Sequence, residues 1–180
     1  MYKRQVEYDE RANEQMFSVL GREFTREWLE ALNNGVADAA PIFVVGQPRT
    51  GSTLLDRMLA AHPEVTSAGE LRHFGIAVRR ATGQDDPLQF TPGLMQAAVD
   101  ADIELLGEAY RTSTDSLRGE GAHFIDKLPS NYLYLPLILA SLPTARIIHI
   151  RREPLDACFA TYKQLFADAY LYSYDQAELA

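Results

Sequence analysis

The sequence predicts an α/β fold built on a parallel sheet, and three observations carry that prediction. Pro41-Ile42-Phe43-Val44-Val45-Gly46 is a short, β-branched apolar run of the kind that forms a buried parallel strand. It leads through a polar loop containing Pro48 and Gly51 into a helical pattern marked by Leu54, Leu55, Met58 and Leu59. Ala145-Arg146-Ile147-Ile148-His149-Ile150 repeats the arrangement, running into Arg151-Arg152-Glu153-Pro154 and a further helical pattern. Strands that alternate with helices bury both sheet faces, so helices are expected on both sides.

The other elements follow in chain order. Phe17, Leu20, Phe24, Trp28 and Leu32 recur at helical spacing and predict one amphipathic helix, stopped at Asn33-Asn34-Gly35. Residues 1–40 therefore read as a helical lead-in, and 41–180 as the α/β domain. Pro63 stops the helix that follows the loop. Residues 64–72 predict a brief extended segment and a turn around Gly69. Leu94, Ala98, Ala101, Leu105 and Ala109 predict one more amphipathic helix, and Ala122-His123-Phe124-Ile125 a short strand ending at Asp126-Lys127. Leu133 to Leu142 reads as an apolar helix ended by Pro143, and Leu155, Cys158, Phe159, Tyr162 and Phe166 as another. Ser173-Tyr174-Asp175-Gln176 has capping-box spacing, so a new helix is announced and the chain is expected to continue past Ala180.

Composition narrows the function. The chain is acidic, with a net charge of −8, which argues against nonspecific nucleic-acid binding and against an anionic membrane surface as the main partner. No apolar run approaches the ~18 residues of a membrane span. A single cysteine, Cys158, excludes an intrachain disulfide and fits a reducing, cytoplasmic setting. Cys158 reads as an inert core residue, His62 and His149 as structural, and no metal-ligand cluster stands out.

The chemistry concentrates at Gly46-x4-Gly51-Ser52-Thr53. The spacing is that of a Walker phosphate loop, but Ser52 stands where that loop has its lysine. A γ-phosphate transfer thereby loses a main electrostatic support. Backbone N–H groups at a helix start still hold an anion. The hydroxyls of Thr50, Ser52 and Thr53 add donors, and Arg49 adds a planar guanidinium suited to phosphate or sulfate.

Residues 41–55 resemble the 5′-phosphosulfate loop of the sulfotransferases that use 3′-phosphoadenosine-5′-phosphosulfate (PAPS). The resemblance is strongest to tyrosylprotein enzymes and to bacterial ones associated with tetratricopeptide repeats. It continues through Ala61-His62-Pro63-Glu64-Val65, Gly69-Glu70-Leu71, Asp126-Lys127-Leu128-Pro129-Ser130-Asn131 and Arg146 to Tyr162. It implies a P-loop-like three-layer sandwich, lacking here a C-terminal strand and helices. It further implies that Arg49, Thr50, Gly51, Ser52 and Thr53 hold the 5′-phosphosulfate and that Arg152 grips the 3′-phosphate. Glu70 would be the catalytic base, and Lys127 would steady the sulfuryl group together with Arg49. The implied reaction is sulfuryl transfer to a hydroxyl acceptor, with peptide tyrosine among the candidates, 3′,5′-ADP as product and no metal. Ala160 departs from the pattern, because a serine that binds the 3′-phosphate normally stands there. Thr161 is adjacent but projects elsewhere on a helix.

Two alternatives remain open on the residues. One is a P-loop kinase or nucleotide triphosphatase, since Phe124-Ile125-Asp126 weakly resembles a Walker-B strand end. The other is a catalytically silent nucleotide-binding fragment.

Overall fold

The structure is a computed structural model describing residues 8–32, 35–36, 41–84, 90–166 and 170–179. Four strands form one parallel sheet: β1 (Ile42–Gly46), β2 (Val65–Ser67), β3 (His123–Asp126) and β4 (Arg146–Ile150). Their order is β2-β3-β1-β4, so β1 is paired on both sides. The register sets Phe43 beside Asp126 and Ile147, and Val44 beside Ile148.

That register divides the sheet into two faces. Phe43, Val45 and Phe124 point into the main core, with Ile147 packed against it. Above them lie α1 (Glu10–Glu23), α4 (His73–Thr82), α5 (Pro92–Ala98), α6 (Ile103–Thr114) and α7 (Leu135–Ser141). Phe43, Phe74 and Tyr110 meet at ring centroid distances of 5.6–6.2 Å, in the edge-to-face and tilted geometries that aromatic rings favour. The opposite face carries Val44 and Ile125, both fully buried, and α3 (Ser52–Leu59). There the buried Asp56 of α3 accepts a 2.7 Å hydrogen bond from Ser67 of β2. The expected layering, helices on both faces of a parallel sheet, is what the chain adopts.

Several helix assignments change. The lead-in is two helices: α1 ends at Glu23, and the Thr25 side chain caps α2 (Arg26–Ala31) by accepting from the Trp28 N–H at 3.2 Å. The Phe17-to-Leu32 stripe is thus interrupted by a cap that its spacing conceals, and Phe17 is exposed. Asn33 and Asn34, the expected stop signal, lie outside the described residues. The helix expected from Leu94 to Ala109 is also two, because Asp102 caps α6 through the Leu105 N–H at 3.0 Å. The buried stripe of α6 is Ile103, Leu106 and Tyr110, and Leu105 is 65% exposed. Helix α4 has no counterpart among the sequence expectations. The 133–142 helix is preceded by a 3₁₀ stretch, Pro129–Tyr134, and α7 begins only at Leu135.

Beyond β4, α8 (Pro154–Tyr162) is shorter than predicted and turns Leu155 and Phe159 outward. Cys158 lies in no core; its thiol is half-buried and donates to the Leu179 carbonyl at 3.5 Å. At the last helix, α9 (Gln176–Leu179), the cap is Asp175 rather than Ser173, its carboxylate accepting from the Ala177 N–H at 2.8 Å. Among the described residues, no helix is long and apolar enough to cross a membrane.

Phe74 is fully buried at the centre of the aromatic cluster. Phe74→Ala should cost about 3–5 kcal/mol of stability, read as a lowered midpoint in urea or guanidinium unfolding.

Candidate functional site at the strand ends

In parallel sheets the C-terminal strand ends are where ligands bind. Here each end delivers one expected site residue or group. β1 leads into the glycine loop 47–51, β2 into Glu70, β3 into Lys127 and β4 into Arg152.

The loop's shape rests on three residues with positive φ. Gly46 has φ 149°, and a Cβ on it would lie 2.4 Å from the Ile150 carbonyl oxygen, so only glycine lets β1 run this close to β4. Gly51, at φ 104°, turns the chain into α3. Arg49 is left-handed at φ 64°, a conformation that costs a non-glycine residue about 1–3 kcal/mol and so must be held by its surroundings.

The holding contacts are visible. The carbonyl of Gln47 accepts from the Thr50 hydroxyl at 2.7 Å, that of Pro48 from Thr161 at 3.4 Å, and that of Arg49 from Arg152 at 3.2 Å. Three consecutive loop carbonyls are thus occupied by protein donors. Their lone pairs are drawn away from any anion at the loop, and the start of α3 supplies N–H groups to it. Ser52 is buried at that helix start, whereas Arg49 and Thr53 are exposed. Tyr172 donates to the Gln47 side chain at 3.1 Å and fixes the loop's outer edge.

Glu70 and Lys127 meet. Lys127 Nζ lies 2.5 Å from Glu70 Oε1, with the lysine side chain 7% and the glutamate 57% exposed. The Lys127 N–H also donates to the Gly69 carbonyl at 2.9 Å, extending the β2–β3 pairing into the site. Arg152 reaches Asp156 at 3.7 Å, the one-turn spacing expected on α8, and otherwise faces the loop. Thr161, next to Ala160, is buried and donates to the Pro48 carbonyl of the loop.

Asp126, the possible Walker-B residue, is turned inward. It is fully buried and accepts from the Tyr110 hydroxyl at 2.9 Å, from Asn131 Nδ2 at 3.2 Å and from the Leu71 N–H. Burial outweighs these donors and pushes its pKa up to about 7. On the β4 side of the loop, a cavity of about 510 Å³ is lined by Tyr8, Phe17, Arg151, Arg152, Cys158 and Tyr172, among others; Glu70 and Lys127 lie outside it. His149 also lines that cavity. Sequence reasoning set Thr161 aside as projecting elsewhere and gave Tyr172 and Gln47 no role, whereas all three hold the loop. Their only signal is nearness to Arg152 or to the loop, because the contacts span up to 125 residues. Among the described residues, no cluster of His, Cys, Asp or Glu is placed to hold a metal ion.

The fold is α/β, with a glycine loop at the C-terminal end of β1 that leads into α3. Comparison with known proteins takes this further: the model of the sulfotransferase family matches residues 41–180, and the chain belongs to that family. An uncharacterized protein of Aquifex aeolicus is 33% identical over 177 residues. That match covers 93% of this chain and 23% of the relative, so the chain spans about a quarter of the relative's length. Among solved structures, sulfotransferase STF9 of Mycobacterium avium aligns with 83% of this chain and 50% of its own, at 16% identity and a TM-score of 0.42.

Asp126 links the site to pH. Its folded pKa, about 7, lies above the ordinary carboxylate value of 3.8. The folded state therefore binds the proton more tightly between those values, and this contribution to stability is lost as pH rises through 7. Asp126→Asn removes the titration. The stability of that variant relative to the native protein should rise from pH 5 to pH 8, as measured by denaturant unfolding at each pH.

Proposed function

We propose that this site moves a sulfuryl group from PAPS to a hydroxyl acceptor. The supporting observation is the Lys127–Glu70 pair, set at the strand ends beside a glycine loop that has no lysine of its own. The loop amides with Arg49, Thr50, Gly51, Ser52 and Thr53 hold the 5′-phosphosulfate, and Arg152 faces the 3′-phosphate. The donor supplies an activated sulfuryl group whose leaving phosphate is already a stable anion.

Lys127 and Arg49 offset the charge that builds on the sulfuryl oxygens during transfer. Glu70 takes the proton of the acceptor hydroxyl. A carboxylate is a weak base for a hydroxyl, so the proton moves late, when the forming oxygen–sulfur bond has made the hydroxyl acidic. Being exposed, Glu70 can be reached by an acceptor from solvent. A phenol such as a peptide tyrosine is the acceptor that suits a weak base best, because its hydroxyl is already more acidic than an alcohol's.

Calorimetry tests the donor. 3′,5′-ADP should bind more tightly than ADP or ATP, and without magnesium; equal or tighter magnesium-dependent ATP binding would overturn the proposal. Glu70→Gln should lower transfer of labelled sulfate to phenolic acceptors by about 100-fold or more, with 3′,5′-ADP affinity nearly unchanged. Retained turnover would remove Glu70 from its role.

A further inference from the structure

The pair at the centre of the site is held from behind by a group that cannot touch substrate. Side chains alternate along a strand end, so Asp126 enters the core while Lys127 faces Glu70. The three donors to Asp126 come from three places. Tyr110 belongs to α6, Asn131 to the turn that follows Lys127, and the Leu71 N–H to the residue next to Glu70. One carboxylate thus ties the backbone on both sides of the Lys127–Glu70 pair to one helix of the core. Tyr110 cannot drift, because its ring is fully buried among Phe43, Phe74 and Phe124.

Stability alone does not account for this arrangement. All three partners are neutral donors, and burying a carboxyl opposes folding when no cation repays it. What the carboxylate adds is direction: two acceptor oxygens fix the angle between the 69–71 segment and the end of β3.

We infer that Asp126, oriented by Tyr110, is a positioning residue that holds Lys127 against Glu70. The inference rests on the proposed role of that pair, but its physical content can be tested without turnover. Lys127 is nearly buried, and the pairing shields its amine; Lys163 on the surface provides an internal reference. The probe is acetic anhydride at pH 8, with each lysine's acylation rate followed by mass spectrometry. Glu70→Gln removes the charge pairing directly and sets the rate of a Lys127 that faces a neutral partner.

Tyr110→Phe keeps the ring and deletes one donor, whereas Asp126→Asn keeps the shape and deletes the charge. In both, acylation of Lys127 should rise about 10-fold relative to Lys163, toward the Glu70→Gln rate. Affinity for 3′,5′-ADP should stay within about 3-fold of native, since the glycine loop is untouched. Native Lys127 rates in both variants would overturn the inference. So would equal acceleration of Lys127 and Lys163, which would mean general loosening. Absence of 3′,5′-ADP binding to the native protein would instead overturn the sulfotransferase reading of the site, and the acylation result would still stand.

Discussion

Everything at the site hangs on the close approach of β1 to β4. β1 is an inner strand, paired with β3 on one side and β4 on the other, and its last residue, Gly46, lies so near the Ile150 carbonyl that a side chain has no room. That contact fixes where the glycine loop leaves the sheet and where the chain leaves β4. Arg152, two residues past Ile150, can then reach the Arg49 carbonyl, and Thr161 on α8 can reach that of Pro48. The left-handed Arg49 is tolerable because these contacts repay its strain. Without the Gly46 approach, the loop and Arg152 would be two separate features of the surface.

The parts of this design that were legible in the sequence are those with a local signature. A β-branched run ending in Gly46 and a glycine–hydroxyl cluster announce strand, loop and helix over consecutive residues. Arg152 stands immediately after a second such run. Glu70 and Lys127 were legible only through resemblance, because nothing local tells a turn glutamate that it meets a lysine 57 residues later. The helices fared worse for a definite reason. Thr25 and Asp102 interrupt patterns that keep helical spacing across the break, so periodicity alone fuses two helices into one. In α6 the true stripe is shifted by one residue, from Leu105 to Leu106, because Tyr110 is drawn inward by Asp126. A phenol that must reach a carboxylate overrode the phase that the aliphatic residues suggest.

The electrostatics of the chain and of the site run in opposite directions. A net charge of −8 would repel an anionic donor at long range. The strand ends nonetheless gather Arg49, Lys127, Arg151 and Arg152 from three strands, with Glu70 beside Lys127, Asp156 beside Arg152 and Glu178 across the cavity. Such a local field is felt over roughly a Debye length, about 8 Å at physiological salt, so an anion placed there would feel these few groups and the oriented backbone N–H groups far more than the net charge.

Two buried ionisable side chains stand next to each other at the end of β3, and they solve burial in different ways. Lys127 has an acidic partner, Glu70, at 2.5 Å across the β2–β3 junction. Asp126 has no such partner, and burial drives it toward the neutral acid in spite of three hydrogen bonds. A neutral Asp126 spares Lys127 a competing counter-charge one residue away. An ionised one would divide the lysine's field between core and site, and Glu70 would then feel less of it. Below pH 7, the same desolvation that makes Asp126 costly to bury therefore leaves the positive charge of Lys127 directed at the side of the sheet where Glu70 and the glycine loop lie.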